Sequence, residues 1–256
     1  VLEKVYNQEP LSYDEIMEWC RSQAEFFKDY ICDVGTLLGA AAGQGKNILF
    51  EAQLGALRDI DYGIYPFTSS SNTIASYAPI GAGIPGCALD NVVGVMKAYS
   101  TCVGEGPFVA ETAMGEAWNE KLRESGGEFG AATGRPRRVG PFDAVASRYG
   151  IRCQKAQDIA LTKLDVLGAF DKIPVITGYR LHGVLLDSFP TDSRLEEAEP
   201  VIEELPGWEC DISGCRSWKD LPENARKYVC TLEKLVDHPI YLVSTGAERD
   251  AYLLRE

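Results

Sequence analysis

Histidine is almost missing from this chain of 256 residues, which holds only His182 and His238. Eight cysteines occur, at positions 20, 32, 87, 102, 153, 210, 215 and 230, yet no two stand as C-x-x-C. A structural zinc site draws on clustered Cys and His, so none is expected and no metal ligands are expected here. Thiols scattered in this way suit a reducing, intracellular compartment. Most of them read as small buried hydrophobes. Basic residues are also in short supply: 25 Lys and Arg face 38 Asp and Glu, a formal net charge of -13. Phosphate backbones and anionic bilayers are held by Lys and Arg, so neither nucleic acid nor membrane is expected as a partner. No run is long and apolar enough to span a bilayer, and no signal peptide is seen. The first residue is Val1, not Met, and the chain is expected to be incomplete at its N-terminus. What is present is ordinary globular material, 45% apolar and 10% aromatic, enough for a sizeable core.

Residues 12–32 read as a helix that opens on a capping box, Ser12 with Glu15. Ile16, Trp19, Gln23, Phe26, Tyr30 and Val34 then recur at helical spacing. A second helix is expected from Asp33 to Gly43, then a short strand, Asn47 to Phe50. Residues 55–90 are rich in Gly, Pro, Ser and Tyr, the mark of a binding segment. Val92 to Tyr99, Ile159 to Thr162, Pro174 to Tyr179 and Ile240 to Val243 read as strands, the last closing the pattern. Residues 143–154 read as a helix. Pro222 is expected at the first position of another, with Ala225, Tyr228, Val229, Leu232 and Leu235 as its apolar stripe. The alternation implies an α/β fold with a central, largely parallel sheet flanked by helices.

Three segments carry chemistry. Thr133-Gly134-Arg135-Pro136-Arg137-Arg138 places three arginines within four residues of an acidic chain. Guanidinium forks on a stiff loop suit carboxylates and phosphates; a solvated basic loop is the alternative. Thr162-Lys163-Leu164-Asp165 follows a predicted strand. An Asp there can accept both the ring N–H and the exocyclic amine of guanine, a donor pair that adenine lacks; a surface pair is the alternative. Phe67-Thr68-Ser69-Ser70-Ser71-Asn72-Thr73 offers hydroxyl and amide donors that serve turns in the first place, with phosphate oxygens as the alternative. Gly39 to Lys46 imitates a phosphate-binding loop, but its glycine spacing is one residue too long and Asn47 stands where Ser or Thr should be. It reads instead as a helix C-terminus.

Taken together and in order, these segments resemble the adenylosuccinate synthetase family. The resemblance runs from about Asn47 to Asp250. It rests on Asp59-Ile60-Asp61-Tyr62-Gly63, Ser70-Ser71-Asn72-Thr73, Lys97-Ala98-Tyr99, Val103 to Phe108, Gly127-Glu128-Phe129-Gly130, Thr133 to Arg138, Leu161 to Val166 and Asp211 to Ser217. It implies a single domain over residues 1–256, the C-terminal portion of a fold like that of P-loop NTPases. It implies ligation of IMP and L-aspartate driven by GTP, with Mg2+ as cofactor, in a cytoplasmic homodimer. By the same resemblance Gln53, Ser69, Val103 and the loop Ala131, Ala132, Thr133, Gly134, Arg135, Pro136 and Arg137 face IMP and aspartate. Arg137, Lys163, Leu164, Asp165, Ser244, Thr245 and Gly246 face GTP. Departures exist. Leu54 holds the usual Gln place, leaving Gln53 displaced by one; Cys102 and Ala132 replace a common Arg and Thr. The family's N-terminal phosphate loop, its catalytic Asp and its catalytic His have no counterpart here, so Mg2+ ligands are expected outside these residues and the isolated segment is expected to be inactive. His182 reads as a loop residue and His238 as part of a helix-to-strand turn. The alternative function is a truncated or degenerate guanine-nucleotide and aspartate-binding module without catalysis.

Overall fold

The computed structural model describes residues 1–255, which form two compact units. The first comprises Val1–Leu49 and Pro79–Cys87. It carries α1 (Leu2–Val5), α2 (Tyr13–Phe27) and α3 (Val34–Gly43). The capping box forms as expected: Ser12 Oγ accepts the Glu15 N–H at 3.2 Å, and Glu15 Oε2 accepts the Ser12 N–H at 2.9 Å. The α-helix is shorter than the periodicity suggests. It tightens to a 3-10 turn over Lys28–Tyr30, and the backbone is extended at Ile31. The reason lies at Asp33, whose Oδ1 accepts the Thr36 N–H at 3.1 Å. An N-cap needs non-helical backbone, so the chain leaves one helix before opening the next. Gly43 ends α3 and Gly45 adopts φ +69°, which bears out the reading of Gly39 to Lys46 as a helix terminus. The expected strand Asn47 to Phe50 does not form. An apolar triplet becomes a strand only beside a partner ladder. Within this unit the Gly35 backbone lies against Gly83 so closely that a Cβ on Gly35 would sit 3.0 Å from the Gly83 carbonyl oxygen. The short helix α4 spans Ala78–Gly81.

The second unit, Phe50–Ala78 and Ala88–Glu256, carries β1 (Val93–Lys97), β2 (Ser100–Cys102), α5 (Val109–Thr112), α6 (Glu116–Gly126), β3 (Arg138–Gly140), β4 (Phe142–Asp143) and α7 (Ala144–Gln154). There follow β5 (Asp158–Thr162), β6 (Lys172–Leu181), β7 (Val184–Leu185), β8 (Glu199–Pro206), α8 (Glu223–Val236), β9 (Leu242–Ser244) and β10 (Tyr252–Leu254). One sheet runs β1-β5-β9-β10. Its first three strands are parallel, and β10 is added antiparallel. In a second sheet β6 pairs with β4 in parallel and with β7 and β8 in antiparallel fashion; β2 and β3 make a separate antiparallel pair. The α/β expectation stands, with β10 as a strand beyond the expected last one. The stretch 92–99 is not a single strand. It breaks at Ala98 and Tyr99, both buried, before β2 begins.

The core explains the arrangement. Ile159 and Leu161 of β5 and Val243 of β9 are fully buried, as are Ala225, Val229 and Leu232 of α8. The apolar stripe of α8 thus covers the parallel sheet. Pro222 is the N-cap of α8, not its first residue. Among the described residues β1 is an outer strand of its sheet, with Val93 and Val95 exposed. The cysteines depart from expectation, since none is fully buried and Cys20, Cys32 and Cys210 are exposed. Their helices and loops present them at the surface, and thiol hydrophobicity is too small to override that. No helix among the described residues is long and apolar enough to cross a membrane.

Candidate functional site

The three parallel strands end side by side, and each carboxyl end carries a candidate residue. Lys97 closes β1 opposite Thr162 of β5; Lys163, Leu164 and Asp165 follow β5; Ser244 ends β9, and Thr245 and Gly246 follow it. This is where open α/β sheets bind ligands. Lys163 holds a left-handed conformation, φ +62°, and its Nζ donates to the Gly126 carbonyl at 2.6 Å. Leu164 is fully buried in the core, which leaves only its backbone for a ligand. Asp165 opens a 3-10 turn and is half-buried. Its carboxylate accepts no hydrogen bond and joins no ion pair among the described residues. Ser244 Oγ donates to Gly246 O at 2.9 Å, and the buried Thr245 donates to Cys215 O at 3.2 Å. The first hydroxyl shapes the turn, and the second ties it to the loop at Cys215.

The arginine loop is a tight hairpin. Gly130 N–H donates to Arg135 O at 2.8 Å, Gly134 N–H donates to Gly130 O at 2.7 Å, and Phe129 bridges Pro136. Gly134 takes φ +64°, a conformation that costs other residues strain. Thr133 Oγ1 accepts the Arg135 N–H at 3.3 Å. Ala131, Ala132 and Pro136 are exposed. The three arginines then diverge. Arg135 is exposed and makes no side-chain bond among the described residues. Arg137 Nη1 donates to Glu128 Oε2 at 2.8 Å. Arg138 pairs with Glu111 at 2.6 Å and donates to Gly104 O and Gly106 O at 3.2 and 2.8 Å. The bond to Glu111 raises the Arg138 pKa above its ordinary value, against the opposing effect of burial.

Arg58, a residue the sequence did not single out, serves the neighbouring loop from the other side. Its guanidinium donates to Val103 O at 3.1 Å, to Glu105 O at 3.0 Å, to Cys102 Sγ at 2.8 Å and to Phe67 O. Arg58 and Arg138 together hold four consecutive carbonyls, Val103 to Gly106. Val103 is left with its side chain exposed. Ser69 is tied to the same structure, because its N–H donates to Arg58 O at 2.8 Å and its Oγ accepts the Ser71 N–H at 3.2 Å. Beneath them Asp59 is buried and accepts the N–H groups of Thr73, Asp61 and Tyr62 at 2.5, 2.9 and 3.0 Å. Burial pushes its pKa up, but these N–H groups outweigh that and leave it below the ordinary value. Gln53 is exposed and bonded to nothing described, and Leu54 beside it takes φ +75°.

Glu128 is the second residue that sequence reading left without a role. Its side chain is wholly buried, and it accepts from Lys97 at 2.8 Å, Tyr99 at 2.6 Å and Arg137 at 2.8 Å. Burial pushes its pKa up, and the bonds from Lys97, Tyr99 and Arg137 pull it down to about 2. Its partners lie 29 and 31 residues before it and 9 after it, so no local pattern announces the cluster. The histidines fall as expected. His182 is an exposed turn residue 3.4 Å from Glu197, and His238 follows α8 with Nε2 3.1 Å from Ala156 O. No three His, Cys, Asp or Glu side chains among the described residues gather as a metal site.

The strand ends thus bring Lys97 and Lys163 together with a half-buried carboxylate, Asp165, that is unbonded among the described residues. The sequence pattern described as "Adenylosuccinate synthetase" matches residues 1–253. A relative of that name from Trichlorobacter lovleyi is 48% identical over 255 residues, 99% of this chain and 59% of its own. Another, from Pelotomaculum thermopropionicum, is 45% identical over 98% of this chain and 58% of its own. A solved, fully ligated adenylosuccinate synthetase from Plasmodium falciparum superposes with a TM-score of 0.91 at 34% identity, covering 100% of this chain and 61% of that one. The chain thus spans about three-fifths of the length of these relatives. On the pattern, the sequence identity and the shared fold together, this chain belongs to the adenylosuccinate synthetase family.

Proposed function

We propose that this chain supplies the substrate-holding surface for the joining of L-aspartate to IMP driven by GTP. In that reaction the γ-phosphoryl of GTP passes to the 6-oxygen of IMP and GDP leaves. The aspartate amine then attacks C6, the C6–O bond breaks and phosphate departs. The observation that carries the reading is the pairing, at adjacent strand ends, of a half-buried, unbonded Asp165 with the cations Lys97 and Lys163. Asp165 accepts the two N–H donors of guanine, and the stem of Lys163 lies along the base. The free guanidinium of Arg135 takes an aspartate carboxylate. Ser69 and the backbone of Val103, both organised by Arg58, face the IMP phosphate and ribose. Mg2+ dependence, a homodimer and a cytoplasmic setting belong to the same proposal and rest on family resemblance. The 256 residues assayed alone are expected to form no adenylosuccinate.

The test uses a family-length enzyme carrying this segment. Asp165→Asn can turn its amide toward the 2-carbonyl of xanthine while its oxygen still accepts the ring N–H. Preference for GTP over xanthosine triphosphate should fall about ten- to a hundredfold, since each mismatched buried polar contact costs roughly 1–3 kcal/mol. Arg135→Leu should sharply reduce turnover at any accessible aspartate concentration. Unchanged nucleotide preference in the first variant, together with normal aspartate kinetics in the second, would sink the reading.

A further inference from the structure

Three cations converge on one buried acid. The side chains of Lys97, Arg137 and Lys163 are 28%, 32% and 38% exposed, whereas Glu128 is 0% exposed. One carboxylate against three cations leaves two positive charges without a partner in the cluster. Lys97 and Arg137 are bonded at 2.8 Å, and Lys163 Nζ stands 3.7 Å from Glu128 Oε1. Arg137 Nε is buried with no hydrogen-bond partner, so this guanidinium is fixed by its other end. Tyr99 donates to the same Oε1 at 2.6 Å. Two features show that this packing is tight. A Cβ on Gly126 would come within 2.5 Å of Tyr99 Oη. Lys163 is held in the left-handed region, which few non-glycine residues occupy without tertiary support.

The backbone carries Glu128 into the arginine loop as well. Its N–H donates to Arg123 O at 2.9 Å, and its carbonyl accepts the Arg137 N–H at 2.9 Å. The carboxylate therefore touches a strand end, a loop and the turn after β5 at once. From this we infer that Glu128 is a positioning residue that locks Arg137 of the aspartate loop and Lys163 of the guanine side into one unit, so that both substrates depend on one buried carboxylate. The inference rests on the proposed function for the identity of the two ligands. Glu128 itself touches no substrate. It fixes the direction in which the cations present their remaining N–H groups, and preorganised donors lose less on binding than mobile ones.

Glu128→Gln in the family-length enzyme tests this. One end of the amide becomes an N–H donor facing a cation, so Arg137 or the Lys97–Tyr99 pair must move. The KM for GTP and the KM for aspartate should both rise about tenfold, while that for IMP stays within about twofold. Thermal unfolding is measured alongside. Unchanged GTP and aspartate KM values overturn the inference, as does a rise in one alone. So does a loss of kcat that follows lost thermal stability with both KM values held. If the Gln variant does not fold, Tyr99→Phe removes one donor to Glu128 from the side away from Arg137. It should raise the same two KM values about two- to fivefold, and no change there overturns the inference. Asp165→Asn and Arg135→Leu separate the two failures. When they behave as proposed and Glu128→Gln does not, only the coupling is wrong. When they too are silent, the functional reading falls and the coupling with it.

Discussion

The two units of this chain bury their apolar residues very differently. In the second, β5, β9 and α8 close over one apolar cluster, and Ile64, Ile176 and Tyr179 anchor another. In the first, α2 and α3 bury no side chain at all, and Trp19 of the predicted stripe is 64% exposed. Yet both units have well-made caps. The contrast shows that caps and helical period define where a helix runs, whereas a core defines what it is worth. Every candidate site residue lies in the second unit, on the elements with the core.

The largest test of this contrast is a pair of truncations. Tyr228 of α8 is 1% exposed and donates to Ala98 O at 2.6 Å. Tyr228→Ala should cost about 4 kcal/mol in denaturant unfolding of the second unit, from the lost ring and the orphaned carbonyl. Trp19→Ala should stay within about 0.5 kcal/mol. Equal losses would show that the α2 stripe is covered in solution. A smaller, pH-dependent difference is expected at Glu128. Its pKa in the folded chain, about 2, lies below the ordinary value of 4.5. Its ionised form therefore contributes stability fully above pH 4.5, and that contribution is lost as pH falls toward 2. The stability gap between the wild type and Glu128→Gln, followed by unfolding at several pH values, should be flat at neutral pH and shrink across that window. A gap independent of pH would mean that Glu128 is not the ionised hub. The smallest effect concerns the exposed cap. Ser12→Ala should reduce the helix content of α2 with a loss of about 1 kcal/mol or less, visible by amide exchange in the first unit and leaving exchange in α8 unchanged.

Much of this was legible in the sequence because it is local. The capping box at Ser12, the stripe of α8 and the apolar run of β5 are patterns within one element, and they formed. The hairpin of the arginine loop follows from Gly134 and Pro136 in the same way. What failed was decided by partners far along the chain. Asn47 to Phe50 looks like a strand but has no ladder to join. Arg58 and Glu128 look like ordinary surface charges, and only the fold brings three carbonyls and a thiol to one and three cations to the other. The sequence also could not separate the arginines of one motif: Arg135 free, Arg137 locked to a buried acid, Arg138 spent on pinning a neighbouring loop.

The outer edge of β1 has a practical consequence for anyone handling these 256 residues. Val93 and Val95 are exposed on a strand with no hydrogen-bonded neighbour on its outer side among the described residues. Such an edge is a template for adding another strand, and Lys97 at its end is the only charge on it to discourage that. Self-association should therefore begin here, growing with concentration and answering to a single Val95→Lys exchange. The net charge of -13 repels copies at long range. Salt at 0.1 M screens that repulsion beyond about 10 Å and lets copies approach. Low ionic strength, not high, is then the condition that keeps the segment monodisperse.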